Sequence, residues 1–375
     1  MRRHVIGAIA ITIAWIAMLL LMEAVLRLTD RPGAAVIGWT SGAPGERNQV
    51  GFRGHPFHPT ADVRVVLLGD SQVEAYAIAF DDMPERQLQR TLTEVMRTTV
   101  SVVSIGSGGW GQDQELLALQ AHIKEVRPSV VVLWFTEGND PWNNTFPTHF
   151  PKDGTPKPTF WLEGTKLEGP NLPWLEAYRP PGLYLAHAIR RLRRVPMYPT
   201  DAEWERRLPP PYRATDPSSD AVSLVKTLAA SRGARVDELL SFNDENFDTE
   251  KTHYSTYLVP ESPRLTYSAA LTRALLLRIR DVSEANDARF FILIAERSLP
   301  IPDSPTMFEV KGKGYWLSSA ARRALIARIM EGLPTIRVTG TPPDAIVSKT
   351  DGHWNTEGNE YVMRSLGRRL GNELR

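Results

Sequence analysis

Val63-Arg64-Val65-Val66-Leu67-Leu68-Gly69-Asp70-Ser71 decides the fold. A short apolar run rich in β-branched residues that halts at a glycine reads as a buried strand. The pattern then alternates. Met83–Arg97 carries helical spacing, and Val100–Ile105 is a second β-branched strand. Gln112–Val126 reads as a helix with Leu116, Leu117, Leu119 and Ile123 on its apolar face, and Val130–Phe135 as a third strand. Strands alternating with helices imply right-handed βαβ units and a parallel sheet. Strands this continuously apolar belong to a sheet covered on both faces.

The alternation stops between residues 142 and 262, a stretch rich in Pro and Trp with one expected helix, Asp220–Phe242. A structureless loop of that length would be unusual, so 142–262 reads as an insertion or lid. The alternation resumes with a helix at Pro263–Glu284, a strand at Arg289–Ala295, a helix at Trp316–Met330, a strand at Thr335–Val338 and a last helix at Glu357–Leu374. The expected organisation is a membrane anchor at 1–29, a Gly- and Pro-bearing linker at 30–60, and one α/β domain built from 61–141 and 263–375.

At 375 residues and 42% apolar, the chain can bury a substantial core. Its 44 basic and 43 acidic residues nearly cancel, so nothing in the charge predicts nucleic acid as a partner. Cysteine is absent, which excludes disulfides, thiol catalysis and thiolate metal sites without deciding the compartment. Met1-Arg2-Arg3-His4 precedes the uncharged 18-residue run Val5–Met22. At 1.5 Å per residue that is roughly 27 Å, close to the hydrocarbon core of a bilayer. A cleaved signal peptide is the alternative, although its apolar stretch is usually shorter. Arg2 and Arg3 favour a cytoplasmic N-terminus with the rest of the chain outside, anchored by a single span.

Four places carry chemistry, each at a loop position expected on the carboxyl side of the sheet, where ligands bind in open α/β folds. Gly69-Asp70-Ser71 ends the first strand, so Ser71 opens the next helix, whose dipole favours negative charge. The bland alternative is an N-cap at Asp70 or Ser71. Ser104-Ile105-Gly106-Ser107-Gly108-Gly109-Trp110-Gly111 follows the second strand; a glycine there lets a backbone N–H approach an oxyanion, or merely makes a flexible turn. Glu137-Gly138-Asn139-Asp140 follows the third strand. The Asn139 amide is a neutral donor suited to an oxyanion hole, with an Asx turn as the alternative. Finally, Asp351-Gly352-His353-Trp354-Asn355 precedes the last helix. His353 can serve as general base to a serine, and Asp351 can fix its tautomer.

Taken together, these residues resemble the SGNH (GDSL-like) hydrolase and acyltransferase family, bacterial envelope type, over about residues 48–142 and 262–375. The resemblance implies a flavodoxin-like three-layer α/β/α domain. It implies Ser71 as nucleophile, His353 as base, Asp351 as its acidic partner, and an oxyanion hole from Ser71, Gly109 and Asn139. Gly109 is chosen on the family's spacing, five residues after Ser104, with Gly106 and Gly108 as fallbacks. Gly51-Phe52-Arg53-Gly54 also looks like envelope members. Two positions depart from the pattern: Glu137 stands where the family's third motif usually has glycine, and Asp351 lies two residues before the histidine rather than three.

His55 and His58 lie off any helix, which argues against a metal pair. No metal and no cofactor are expected. Trp134 reads as structural, whereas Trp110, Trp142 and Trp354 flank motifs and could line a pocket. Arg190-Arg191-Leu192-Arg193-Arg194 reads as a solvated or juxtamembrane patch rather than a polyanion site. The expectation is a serine esterase acting on an O-acyl, chiefly O-acetyl, ester of a carbohydrate or envelope polysaccharide. The rivals are a polysaccharide O-acetyltransferase and a silent sugar-binding module of an envelope assembly.

Overall fold

The structure is a computed structural model that describes residues 2–29, 40–145, 157–170, 183, 185, 255–259, 261, 263–296, 306–310, 313–342, 344–347 and 352–375. Helix α1 (Arg2–Thr29) contains an 18-residue window, Ala10–Arg27, of mean hydropathy 1.9. By length and composition it is apolar enough to cross a membrane, a test that a signal sequence also meets.

Strands β1 (Val63–Gly69), β2 (Val100–Gly106), β3 (Val130–Phe135), β7 (Arg289–Ala295) and β10 (Thr335–Val338) form one parallel sheet in the order β2-β1-β3-β7-β10. Counting these five strands alone, the order is 2-1-3-4-5, the flavodoxin-like doubly wound arrangement. Strand order reverses between β1 and β3, the position at which open α/β sheets bind ligands outside the carboxyl ends of their strands.

Side chains alternate along each strand, so each face has its own core. Val66, Leu68, Val103, Ile105, Val131 and Leu133 pack against helices α4 (Gln112–Val126), α6 (Pro263–Glu284) and α7 (Ser319–Met330). Val65, Leu67, Val102, Val130 and Val132 pack against α3 (Pro84–Met96) and α8 (Thr356–Leu374). The expected three layers and parallel sheet are therefore present. Two one-turn helices, α2 (Ser71–Glu74) and α5 (Asp140–Asn143), follow β1 and β3.

Three readings need correction or limit. The stretch taken for a linker is, from residue 40, folded onto the domain: Val50, Phe52 and Phe57 join the core, and Asn48 Nδ2 donates to the Ser104 carbonyl at 2.8 Å. Its glycines and prolines make the turns that deliver these side chains, a job that leaves no periodicity to read. The helix placed at Trp316–Met330 begins at Ser319, because the Ser318 hydroxyl accepts from the Ala321 N–H at 3.2 Å and caps it. Trp316 instead lies in β9 (Lys313–Leu317), which pairs antiparallel with β8 (Thr306–Val310) and β6 (Leu258–Val259). Within 142–262, residues 157–170 carry the hairpin of β4 (Trp161–Glu163) and β5 (Lys166–Glu168). The helix expected at Asp220–Phe242 and the basic run at 190–194 lie outside the described residues.

Candidate active site

Ser71 is the first residue of α2, at the end of β1. Asp70 is the cap, its Oδ1 accepting from the Gln72 N–H at 2.9 Å, so the serine itself is spared the capping role. Ser71 is half-buried. Two glycines bring α2 down onto the sheet. A Cβ on Gly69 would stand 2.6 Å from Val73 Cγ2, and one on Gly106 would stand 2.8 Å from the Gly69 carbonyl oxygen. Any side chain at either place would push the serine turn outward.

Asn139 reaches the same turn from β3. Its side chain forms no Asx cap; Nδ2 donates to Asp70 Oδ2 at 3.0 Å. The buried Asp70 carboxylate thus links the residue preceding Ser71 to the amide of Asn139, and one N–H of that amide remains to be aimed elsewhere.

The glycines after β2 divide between two tasks. Gly108 donates its N–H to Glu74 Oε2 at 2.6 Å and is committed there. Gly109 has a φ of +73°, the left-handed region that glycine enters without strain.

His353 is buried and lies on the carboxyl side of the sheet, just before α8. Next to it, the Trp354 N–H donates to Gln72 Oε1 at 3.4 Å, tying the histidine loop to the residue after Ser71. The Tyr76 hydroxyl lies 3.5 Å from His353 Nδ1, and the two rings meet edge-on with centroids 5.0 Å apart. Asp351 lies outside the described residues.

Arg53, from the folded segment before β1, is buried beneath this turn. It donates to the carbonyls of Glu74 at 3.2 Å, Ala75, and Ile78 at 2.9 Å, and pairs with Glu46 at 2.8 Å. One guanidinium thereby holds the carbonyls of the loop that carries Tyr76, including Ala75 in its left-handed conformation. Glu137 also finds a physical reason: its carboxylate pairs with Arg322 on α7 at 2.8 Å, a tie from β3 to α7 that glycine could not make.

Periodicity could not reveal a buried polar layer, since Gln112, Asp113, Gln114 and Glu115 open α4 and are all buried. Asp113 pairs with buried Lys157. Burial pushes the Asp113 carboxyl up and the Lys157 amine down, each opposed by the other's charge. Gln112 Nε2 donates to Asp140 Oδ2 at 2.6 Å and to Glu115 Oε2 at 3.3 Å. Burial, reinforced by neighbouring carboxylates, holds Glu115 and Asp140 well above the usual carboxyl range. Among the described residues, Glu115 Oε1 and Asp140 Oδ1 have no hydrogen-bond partner.

Trp110, Trp142 and Trp354 are buried, Trp110 meeting Phe52 edge-on at 5.5 Å. His55 pairs with buried Glu85 at 2.9 Å and stacks on Phe80. Among the described residues no three His, Asp or Glu side chains gather as a metal site.

The strand order and its reversal define a doubly wound α/β protein whose candidate site lies at the carboxyl edge. No protein-family model and no curated protein sequence matches the chain. Among solved structures it is similar to the psychrotrophic esterase EstA from Pseudoalteromonas sp., at 10% identity and a TM-score of 0.36, over 84% of this chain and 99% of that one. It is also similar to the lipase Lip_vut3 from a goat rumen metagenome, at 10% identity and a TM-score of 0.37, over 82% and 97%. Likeness at this level carries no weight for the chemistry, which is read from the site itself.

Proposed function

We propose that this chain is a membrane-anchored serine esterase of the SGNH type that cleaves an O-acyl, chiefly O-acetyl, ester of a carbohydrate. Ser71 Oγ passes its proton to His353 and attacks the ester carbonyl. The oxyanion takes hydrogen bonds from the N–H groups of Ser71 and Gly109 and from the Asn139 amide. His353 then protonates the leaving alkoxide, and water, activated by the same histidine, hydrolyses the acyl-enzyme. Asp351 orients His353. A sugar hydroxyl in place of water makes the same intermediate a transferase.

One observation carries this reading. Both neighbours of Ser71 are tied to the other two loops: Asp70 accepts from Asn139 at 3.0 Å, and Gln72 accepts from the N–H next to His353 at 3.4 Å. These ties between the three loops support a nucleophile, an oxyanion donor and a base gathered at the strand-order reversal. The apolar α1 supports an anchor, and the two arginines before its apolar run support a domain outside a bacterial cytoplasmic membrane. An O-acetylated envelope polysaccharide is the substrate class that this location favours.

The test is hydrolysis of 4-nitrophenyl acetate by the full chain in detergent, beside Ser71→Ala. Turnover that disappears with the substitution is the expected result. A folded wild-type protein that neither turns over nor takes a serine-directed phosphonate on Ser71 would overturn the reading and favour a binding module.

A further inference from the structure

Outside α1, three large apolar side chains are exposed among the described residues: Leu183, Tyr76 and Val347. Single exposed apolar residues are ordinary, but two of these three flank His353. Tyr76, 55% exposed, meets the histidine ring at an interplanar angle of 75°. Val347, 41% exposed, donates its N–H to the His353 carbonyl at 2.8 Å. The antiparallel bridge between Ile346 and Trp354 sets Val347 directly opposite His353. Residues opposite one another in an antiparallel pair carry their side chains on the same face, with Cβ atoms about 5 Å apart. The histidine therefore has an aromatic and an aliphatic side chain beside it, and both reach solvent.

The fold imposes this exposure. The carbonyls around Tyr76, those of Glu74, Ala75 and Ile78, are held by buried Arg53, so the ring is presented on a fixed loop. A side chain presented in that way loses little freedom when a ligand covers it.

The chemistry of the proposed reaction says what would cover it. In serine acyl transfer, the histidine that took the nucleophile's proton returns it to the leaving oxygen. The alcohol portion of the ester thus leaves past the histidine, and Tyr76 and Val347 are the exposed apolar groups that border that residue, while the carbonyl oxygen turns away towards Gly109 and Asn139. We propose that Tyr76 and Val347 form the subsite for the alcohol portion, holding the apolar C–H face of a pyranose ring against Tyr76. This rests on the esterase reading. Any acceptor alcohol in a transfer reaction would occupy the same place, because it enters by the reverse of the step by which the leaving alcohol departs. Selection of the acyl chain then resides elsewhere.

Two ester series measured on the full chain test this. In one the acyl group stays acetyl and the alcohol varies: methyl acetate, phenyl acetate and an O-acetylated methyl pyranoside. In the other the alcohol stays 4-nitrophenol and the acyl group runs from acetyl through butyryl to octanoyl. With Tyr76→Ala, the ratio of kcat/KM on the pyranoside to that on methyl acetate should fall about tenfold, the lower end for losing one apolar contact in a pocket. The fall should lie chiefly in KM and leave the acyl ranking unchanged. Val347→Ala should shift the same ratio by a smaller factor, and Tyr76→Phe, which keeps the ring, should preserve it. An equal loss on every alcohol, or a reordered acyl series, overturns the subsite while leaving the esterase reading intact. A wild type inert towards both series, with Ser71 unlabelled by a phosphonate, overturns the esterase reading and the subsite with it.

Discussion

Replacing Asn139 by Ala tests the link between the β1 and β3 loops most directly. The side-chain amide has two N–H groups, and one is donated to Asp70 Oδ2 at 3.0 Å. Loss of that bond costs the folded state about 1.5–3 kcal/mol, as for hydrogen bonds to charged groups. Asp70 keeps its bond from the Gln72 N–H at 2.9 Å, so α2 retains its cap and the fold should survive with a melting temperature several degrees lower. The second N–H is the one assigned to the oxyanion, and losing such a donor costs about 2.7–4 kcal/mol in the transition state, or 10²–10³ in kcat. The expected result is that kcat on 4-nitrophenyl acetate falls by that factor while KM moves less than about threefold, because the bond is made chiefly in the transition state. Active sites are counted by phosphonate titration of Ser71. Asp70→Ala should also lower kcat, and in the double variant the two losses should not add, since Asp70 acts by aiming Asn139. A fall in kcat of less than about tenfold for Asn139→Ala, with Ser71→Ala inactive, would remove Asn139 from the oxyanion hole.

Two further outcomes follow from the buried charges. Glu115 and Asp140 have carboxyls raised by burial, so they bind protons more tightly folded than unfolded. Their contribution to stability is complete below the unfolded carboxyl range, about pH 4, and is lost as pH rises through the raised folded values. Glu115→Gln should therefore flatten the fall in melting temperature as pH rises above the unfolded carboxyl range, and a slope equal to the wild type's would refute the assignment. Glu137→Gly should destabilise by about 2–3 kcal/mol, because it leaves the largely buried Arg322 without its 2.8 Å partner. Adding Arg322→Leu should recover much of that loss in melting temperature, and an unchanged loss would place the cost in the turn itself.

Much of the fold was legible because the strands are short, apolar runs bounded by glycine or polar residues. Gln112–Val126, Val130–Phe135, Pro263–Glu284 and Arg289–Ala295 appear with the expected bounds. What failed to show were elements whose reasons are not periodic. Residues 40–60 looked like a linker since their function is to turn, yet Phe52 joins the core and Arg53 holds the carbonyls of the loop after Ser71. Strand β9 was absorbed into the following helix because the Ser318 cap that separates them is one polar residue among several. In the site, Ser71, Gly109, Asn139 and His353 could be nominated from strand ends. Asp70 could be seen only as a cap, and nothing in the chain marked Lys157, 44 residues from Asp113, as its buried partner.

The amino-acid sequence by itself determined the alternating α/β architecture and the apolar N-terminal helix, and it nominated candidates for acyl-transfer chemistry. These follow from local period and residue type, properties that a short window contains. Only the tertiary structure decided that Asp70 ties Asn139 to the serine turn, that Arg53 holds the loop of Tyr76, and that Tyr76 and Val347 stand beside His353. Most of those relations join residues far apart in the chain, up to 277 positions for Tyr76 and His353. Their energies depend on distance and burial in space, which no window of sequence records.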